Sequence, residues 1–149
     1  MIVEGSASVA APRERLWAVL SDPAALAGAL PGVDAISVED ASRFSALARP
    51  RTALGETPVA MDFEVADQRP PEHVRISGSG RAGESLLRFE IELDLAGAGD
   101  RTTAGWRGEV ALSGVLGSLL QRGLGPLFNQ QVEEVLAAGA RISEGAGTG

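Results

Sequence analysis

The feature that most constrains the fold is a long stretch of helical periodicity at residues 113–141. Its large apolar residues recur at steps of three and four, which places them on one stripe of a helix. The members of this stripe are Leu116, Leu120, Leu124, Leu127, Phe128, Val135 and Leu136. A helix of about 25 residues is roughly 37 Å long. Its stripe must be buried against something, and the rest of the chain supplies mainly strands.

Period-two alternation dominates the chain between residues 33 and 113 and is typical of half-buried strands. The clearest example is residues 87–95, where Leu87, Phe89 and Ile91 alternate with charged residues. Six strands are predicted in this region, and the alternating residues 2–9 add a seventh at the N-terminus. The short connections between successive strands favour antiparallel hairpins.

Two short helices are predicted between the first strand and the second. Pro12 is suited to the start of a helix, where its missing N–H costs nothing. Asp22 is a predicted N-cap, with Pro23 as the first residue of the second helix. The dipeptide Pro31-Gly32 ends that helix.

These elements predict an α+β fold of the helix-grip kind, in which a curved, seven-stranded antiparallel sheet wraps around one long C-terminal helix. We predict a single domain over residues 1–141, followed by a flexible, glycine-rich tail at residues 142–149. Gly125-Pro126 interrupts the long helix, because proline within a helix removes a hydrogen bond. Either the helix kinks there, or a first segment ends near Gly123 and Pro126 begins a second. The break either follows the curvature of the sheet or forms a hinge or portal beside a cavity.

Several inward positions on the predicted sheet are small, which leaves room for a cavity opposite the helix. The alternative is a packed core in which strand glycines mark bulges. If the cavity is present, the space over Gly78 is empty or filled by a ligand. Ligand pockets are concave and mostly apolar. The predicted lining is Leu30, Phe44, Ala46, Met61, Phe63, Ile76, Gly78, Phe89, Ile91, Trp106, Gly108, Leu116, Leu120, Leu124 and Phe128.

The composition argues against several kinds of chemistry. The chain has no cysteine, a formal net charge of −7 and no basic block, so neither thiol chemistry nor nucleic-acid binding is expected. His73 is the only histidine, is predicted to be exposed at a strand start, and has no evident nucleophile partner. No metal site is predicted. The GxGxxG match at residues 78–83 does not open a helix, so we reject it as a dinucleotide motif.

Residues 10–36 resemble the opening of the CoxG family of carbon monoxide dehydrogenase subunits, within the START-like, polyketide cyclase-like (SRPBCC) superfamily. The resemblance rests on an Ala-Pro, a tryptophan, an Asp-Pro and a Leu-Pro-Gly, followed by further matches along the chain, and it covers roughly residues 1 to 140. The matching residues are Ala11-Pro12, Trp17, Asp22-Pro23, Leu30-Pro31-Gly32, Pro70-Pro71, Gly78-Ser79-Gly80, Thr102-Thr103 and Ser113-Gly114.

The resemblance implies a cytoplasmic, non-catalytic accessory protein of a CO dehydrogenase-type molybdenum hydroxylase. It implies a lipophilic ligand, menaquinone or ubiquinone, in the cavity, no tightly bound cofactor, and transient contact with the inner face of the membrane. Two alternatives stay open. One is a START-like cyclase or hydratase, which needs polar groups inside the cavity. The other is an adaptor that docks the dehydrogenase through its surface and holds no ligand.

Overall fold

The computed structural model describes most of the chain. The described residues are 1–30, 32–48, 51–52, 55–56, 58–82, 84–114 and 124–147. The strands are β1 Ile2–Val9, β2 Val33–Val38, β3 Arg43–Ala48, β4 Arg51–Thr52, β5 Gly55–Glu56, β6 Val59–Arg69, β7 His73–Ala82, β8 Ser85–Ala98 and β9 Arg101–Leu112. The helices are α1 Arg13–Ser21, α2 Pro23–Ala29 and α3 Leu124–Gly147.

Seven of the strands form one antiparallel sheet in the order β1-β9-β8-β7-β6-β3-β2. The predicted α+β helix-grip fold and its seven-stranded sheet are therefore confirmed. The sequence did not predict the small separate hairpin of β4 and β5. The turn between β8 and β9 contains Gly99 with a φ of +65°, a backbone conformation that favours glycine.

The two faces of the sheet differ as the alternation predicted. The acidic residues Asp62, Glu64, Glu90, Glu92 and Asp94 are all exposed on the outer face. Their apolar neighbours along the strands point inward and form the core. The outer face of these strands is thus a solvated charged surface, and their inward residues form an apolar one.

Local sequence chemistry accounts for the short helices. Asp22 caps α2 by accepting a 3.3 Å hydrogen bond from the backbone N–H of Ala25, and Pro23 begins the helix, as predicted. Pro12 lies one residue before α1 rather than in its first position. Together α1 and α2 bury Leu16, Leu20 and Leu26 in the core.

The C-terminal helix α3 packs against β1, α1 and α2. Pro126 is the third residue of the described helix. Residues 115–123 lie outside the described residues, so the choice between a kink and a hinge stays open. The helix continues through Gly147, beyond the end at residue 141 that we predicted. The flexibility of residues 142–149 stays a prediction.

Candidate functional site

A row of phenylalanines crosses the inner face of the sheet. Phe44 of β3 pairs with Phe63 of β6, and Gly78 of β7 separates Phe63 from Phe89 of β8 in the same register. The ring centroids lie 4.6 Å apart for Phe44 and Phe63, 6.0 Å for Phe63 and Phe89, and 5.3 Å for Phe89 and Phe128 of α3. We call these four residues the phenylalanine row. It contains every phenylalanine of the chain and joins three strands to the helix.

Gly78 makes this row possible. A Cβ atom at Gly78 would overlap the ring of Phe89, so the ring covers the glycine directly. The two aromatic rings flanking the glycine therefore meet in an edge-on contact above it. The space over Gly78, which we predicted to be empty or filled by a ligand, is occupied by the ring of Phe89.

A second register row lies two residues further along each strand, toward the end of the sheet where β8 begins at Ser85. It runs from Ala46 through Met61 and Gly80 to Leu87, and we call it the methionine row. A Cβ atom at Gly80 would overlap the sulfur of Met61, so a flexible thioether covers this glycine. Ala46 and Met61 are buried, whereas Leu87 is only half-buried.

On the other side of the phenylalanine row, the inner face is closely packed. Ile76, Ile91 and Gly108 form the next register row, with Trp106 beyond it. Trp106 is only 4% exposed, and its indole N–H donates a 3.0 Å hydrogen bond to Asn129 Oδ1 of α3. The Asn129 side chain also donates to the backbone oxygen of Glu4 at 3.3 Å. This side chain therefore fastens α3 to both β9 and β1.

Asn129→Ala is expected to destabilise the fold by about 1–3 kcal/mol, because it leaves the buried indole N–H of Trp106 without its partner. Urea unfolding monitored by circular dichroism would measure the loss. Gln130→Ala is the matched control, since Gln130 is exposed and, among the residues the structure describes, donates to Glu134 of its own helix. Equal losses for the two variants would contradict the fastening role of Asn129.

The structure brings most of the predicted lining residues together, but not on one continuous surface. Phe44, Ala46, Met61, Phe63, Ile76, Ile91 and Trp106 belong to the buried core cluster, with Leu30, Phe89 and Phe128 partly buried against it. Gly78 lies beneath the ring of Phe89, and Gly108 lies against the backbone of Glu90 and Ile91. Leu124 begins α3, and nothing is described of its side chain. Leu116 and Leu120 lie outside the described residues.

The prediction that His73 is exposed is wrong, since the residue is only 6% exposed. Its Nδ1 atom lies 2.7 Å from Asp94 Oδ1, and its Nε2 atom lies 3.7 Å from Glu92 Oε1. The indole N–H of Trp17 donates to the His73 backbone oxygen at 3.3 Å. His73 thus pairs with the outer charged surface, away from the phenylalanine row.

Sequence reasoning missed a groove between the edge strand β1 and α3. Its volume is about 300 Å³, with Ala7 and Val9 on the strand and Leu136 and Ala140 on the helix. None of the predicted lining residues contributes to it. The groove depends on how α3 sits against β1, which no local pattern encodes.

Two classes of site find no support in the part of the chain that the structure describes. No three histidine, cysteine, aspartate or glutamate side chains are grouped so as to hold a metal ion. None of the described helices is both long and apolar enough to cross a membrane. The described inner face instead offers apolar surface, which suits a ligand without charge.

Solved structures of similar fold cover nearly the whole chain. A conserved protein from Geobacillus kaustophilus aligns with a TM-score of 0.87 at 19% identity, over 98% of this chain and 97% of that one. A START superfamily protein from Mycobacterium smegmatis has a TM-score of 0.68 at 15% identity, over 91% and 93%. The Zhui aromatase/cyclase from Streptomyces sp. R1128 gives 0.66 at 16%, over 97% and 93%. These likenesses define a START-like, polyketide cyclase-like fold.

The family follows from the sequence itself. The model of the CoxG family of carbon monoxide dehydrogenase subunits matches residues 5–140. The chain therefore belongs to the CoxG family, as its motifs predicted. No curated protein matches the sequence.

Proposed function

We propose that this protein is a non-catalytic accessory that binds a lipophilic ligand, menaquinone or ubiquinone, between the inner face of its sheet and its C-terminal helix. In this proposal it serves a molybdenum CO dehydrogenase-type oxidoreductase, either by delivering the quinone or by recruiting the enzyme to the membrane.

One observation carries the proposal of a ligand. Leu87, Phe89 and Phe128 are large apolar residues on the inner side of the fold, yet all three are only half-buried. Inward apolar side chains of a fully packed core would be buried on all sides. Their partial exposure supports an apolar space that a ligand can fill, and burying apolar surface is the main driving force for such binding.

The family supports the proposal of a partner. The CoxG family is described as a component of carbon monoxide dehydrogenase. The net charge of −7 disfavours simple attraction to anionic lipids, so membrane recruitment would need apolar contacts or the partner enzyme.

Native mass spectrometry tests the ligand directly. The protein would be purified, analysed as isolated, then extracted with organic solvent, refolded and incubated with decylubiquinone or a short-chain menaquinone. We expect an isoprenoid or acyl ligand to copurify or a quinone to load at one molecule per chain. Consistent failure to recover or load any such ligand would overturn the proposal and favour a ligand-free adaptor.

A further inference from the structure

We infer that the phenylalanine row is the floor of the ligand site, so that the ligand occupies only the part of the inner face between this row and the end of the sheet at Ser85. This inference rests on the proposed function, because it specifies where the lipophilic ligand is held and how much of it fits. It divides the inner face into an open half, which contains the methionine row, and a closed half, which contains Trp106.

The closed half is filled by buried side chains beneath the phenylalanine row, and the groove between β1 and α3 lies at its edge, away from that row. On the sheet, Val74 and Ala104 are 0% exposed and Leu93 is 3% exposed. From the helices, Leu16 is 0% and Leu136 is 1% exposed. Side chains from α1, α3 and the sheet therefore bury one another in this half, as the side chains of a packed core do.

The open half is less tightly filled beside β8 and β9, whereas Ala46 of β3 and Met61 of β6 are buried. Leu87 of β8 and Leu112 of β9 are cross-strand partners on the inner face, and both are only half-buried. Phe89, the next inward residue of β8, is half-buried too, whereas the following one, Ile91, is 3% exposed. The change from half-buried to buried along this single strand falls at the phenylalanine row.

The rings form a continuous barrier between the two halves. Phe44 and Phe63 stack with an interplanar angle of 12°, and Phe63 meets Phe89 edge-on at 61°. Phe128 extends the barrier from the sheet to α3. Because the ring of Phe89 fills the space over Gly78, the glycine leaves no gap in the barrier.

The chemistry of the open half defines what it can hold. Its walls are the apolar side chains of Ala46, Met61 and Leu87, and the Met61 thioether is flexible enough to move off Gly80. Ser85, which is 5% exposed, is a polar side chain at the rim of this half, next to Gly114. The site therefore suits the end of an uncharged, apolar chain or ring.

The position of the phenylalanine row also limits the depth of the ligand site. Ala82, at the end of β7, lies four residue steps beyond Gly78 of the phenylalanine row, which is about 13 Å at 3.3 Å per residue. A ligand with a longer apolar tail must leave the remainder outside the protein. The fold would thus grip one end of a long lipophilic molecule and leave the other end accessible.

A series of linear alcohols from hexanol to hexadecanol, competing with the fluorophore phenylnaphthylamine, tests the floor. For the wild type, affinity is expected to increase about fourfold per added methylene and then stop increasing once the chain reaches the phenylalanine row. Phe89→Ala removes part of the floor and should move this limit to longer alcohols by roughly two methylenes. Phe89→Leu removes fewer atoms and disturbs folding less. It should also move the limit to longer alcohols.

Ile91→Ala is the matched control, because it truncates the next inward residue of the same strand within the closed half. It should leave the limit unchanged. If neither Phe89 variant changes the chain length at which affinity stops increasing, or if Ile91→Ala changes it equally, the phenylalanine row is not the floor of the site. The proposed ligand binding would be unaffected by that result. If the alcohols displace no fluorophore from the wild type and the wild type loads no lipophilic ligand, the proposed function is wrong. The inferred floor is then wrong as well.

Discussion

Replacing Gly108 with alanine is expected to destabilise the fold by about 3 kcal/mol, or roughly 6–12 °C in Tm for a domain of this size. The reason is a close approach of two backbones. A Cβ atom at Gly108 would overlap the carbonyl oxygen of Glu90 and contact the Cα of Ile91, both on the neighbouring strand β8. Backbone atoms within a sheet cannot rotate away as a side chain can. The two strands would therefore have to separate.

Gly105→Ala is the control for this prediction. Gly105 lies on the same strand, and a Cβ atom there would have no neighbour within 4 Å. Alanine at this position should stabilise the protein by about 0.5–1 kcal/mol, because glycine loses more conformational freedom on folding. Thermal unfolding of both variants measures the contrast. A Gly108→Ala variant as stable as Gly105→Ala would show that the strands do not approach so closely.

Phe44→Ala and Phe128→Ala delete the same atoms from two ends of the phenylalanine row but should have unequal effects. Phe44 is 1% exposed and stacks on Phe63, so its loss should cost about 3–5 kcal/mol. Phe128 is half-buried, so its loss should cost about half as much. Urea unfolding of the ligand-free variants gives both values.

Similar losses for the two variants would mean that Phe128 is packed as tightly as Phe44. The open side of the row would then be a closed core, in which the strand glycines serve packing alone. A large loss for Phe44→Ala with a small one for Phe128→Ala would support an unfilled apolar space beside α3.

Local patterns were sufficient to predict most of the fold. The alternation of Phe89 and Ile91 with charged residues places them on one face whatever their partners are. The cap formed by Asp22 depends only on residues within one helical turn. Because such signals are short-range, seven strands and two short helices could be predicted from the chain alone.

Features that depend on distant contacts were not predicted. His73 follows a turn, where exposure is expected, yet it is buried, and Trp17 of α1 approaches its backbone from 56 residues away. The ring of Phe89 turns over Gly78, and alternation fixes the face of a side chain but not the direction of its ring. The groove between β1 and α3 likewise depends on helix placement. The sequence therefore predicted a set of lining residues, but not how their rings and the neighbouring helix are arranged over the sheet.

Met61 permits the most direct test of lipophilic binding on the inner face. It is 5% exposed within the methionine row, whereas Met1 is 50% exposed at the N-terminus, where its sulfur lies beside Gly125 of α3. Nuclear magnetic resonance of isotope-labelled methionine methyl groups would be recorded with and without saturating decanol. The proposed site predicts that the Met61 methyl resonance shifts and shows cross-peaks to the decanol chain. A Met61 resonance that is unchanged at saturation, without cross-peaks to the alcohol, would contradict it.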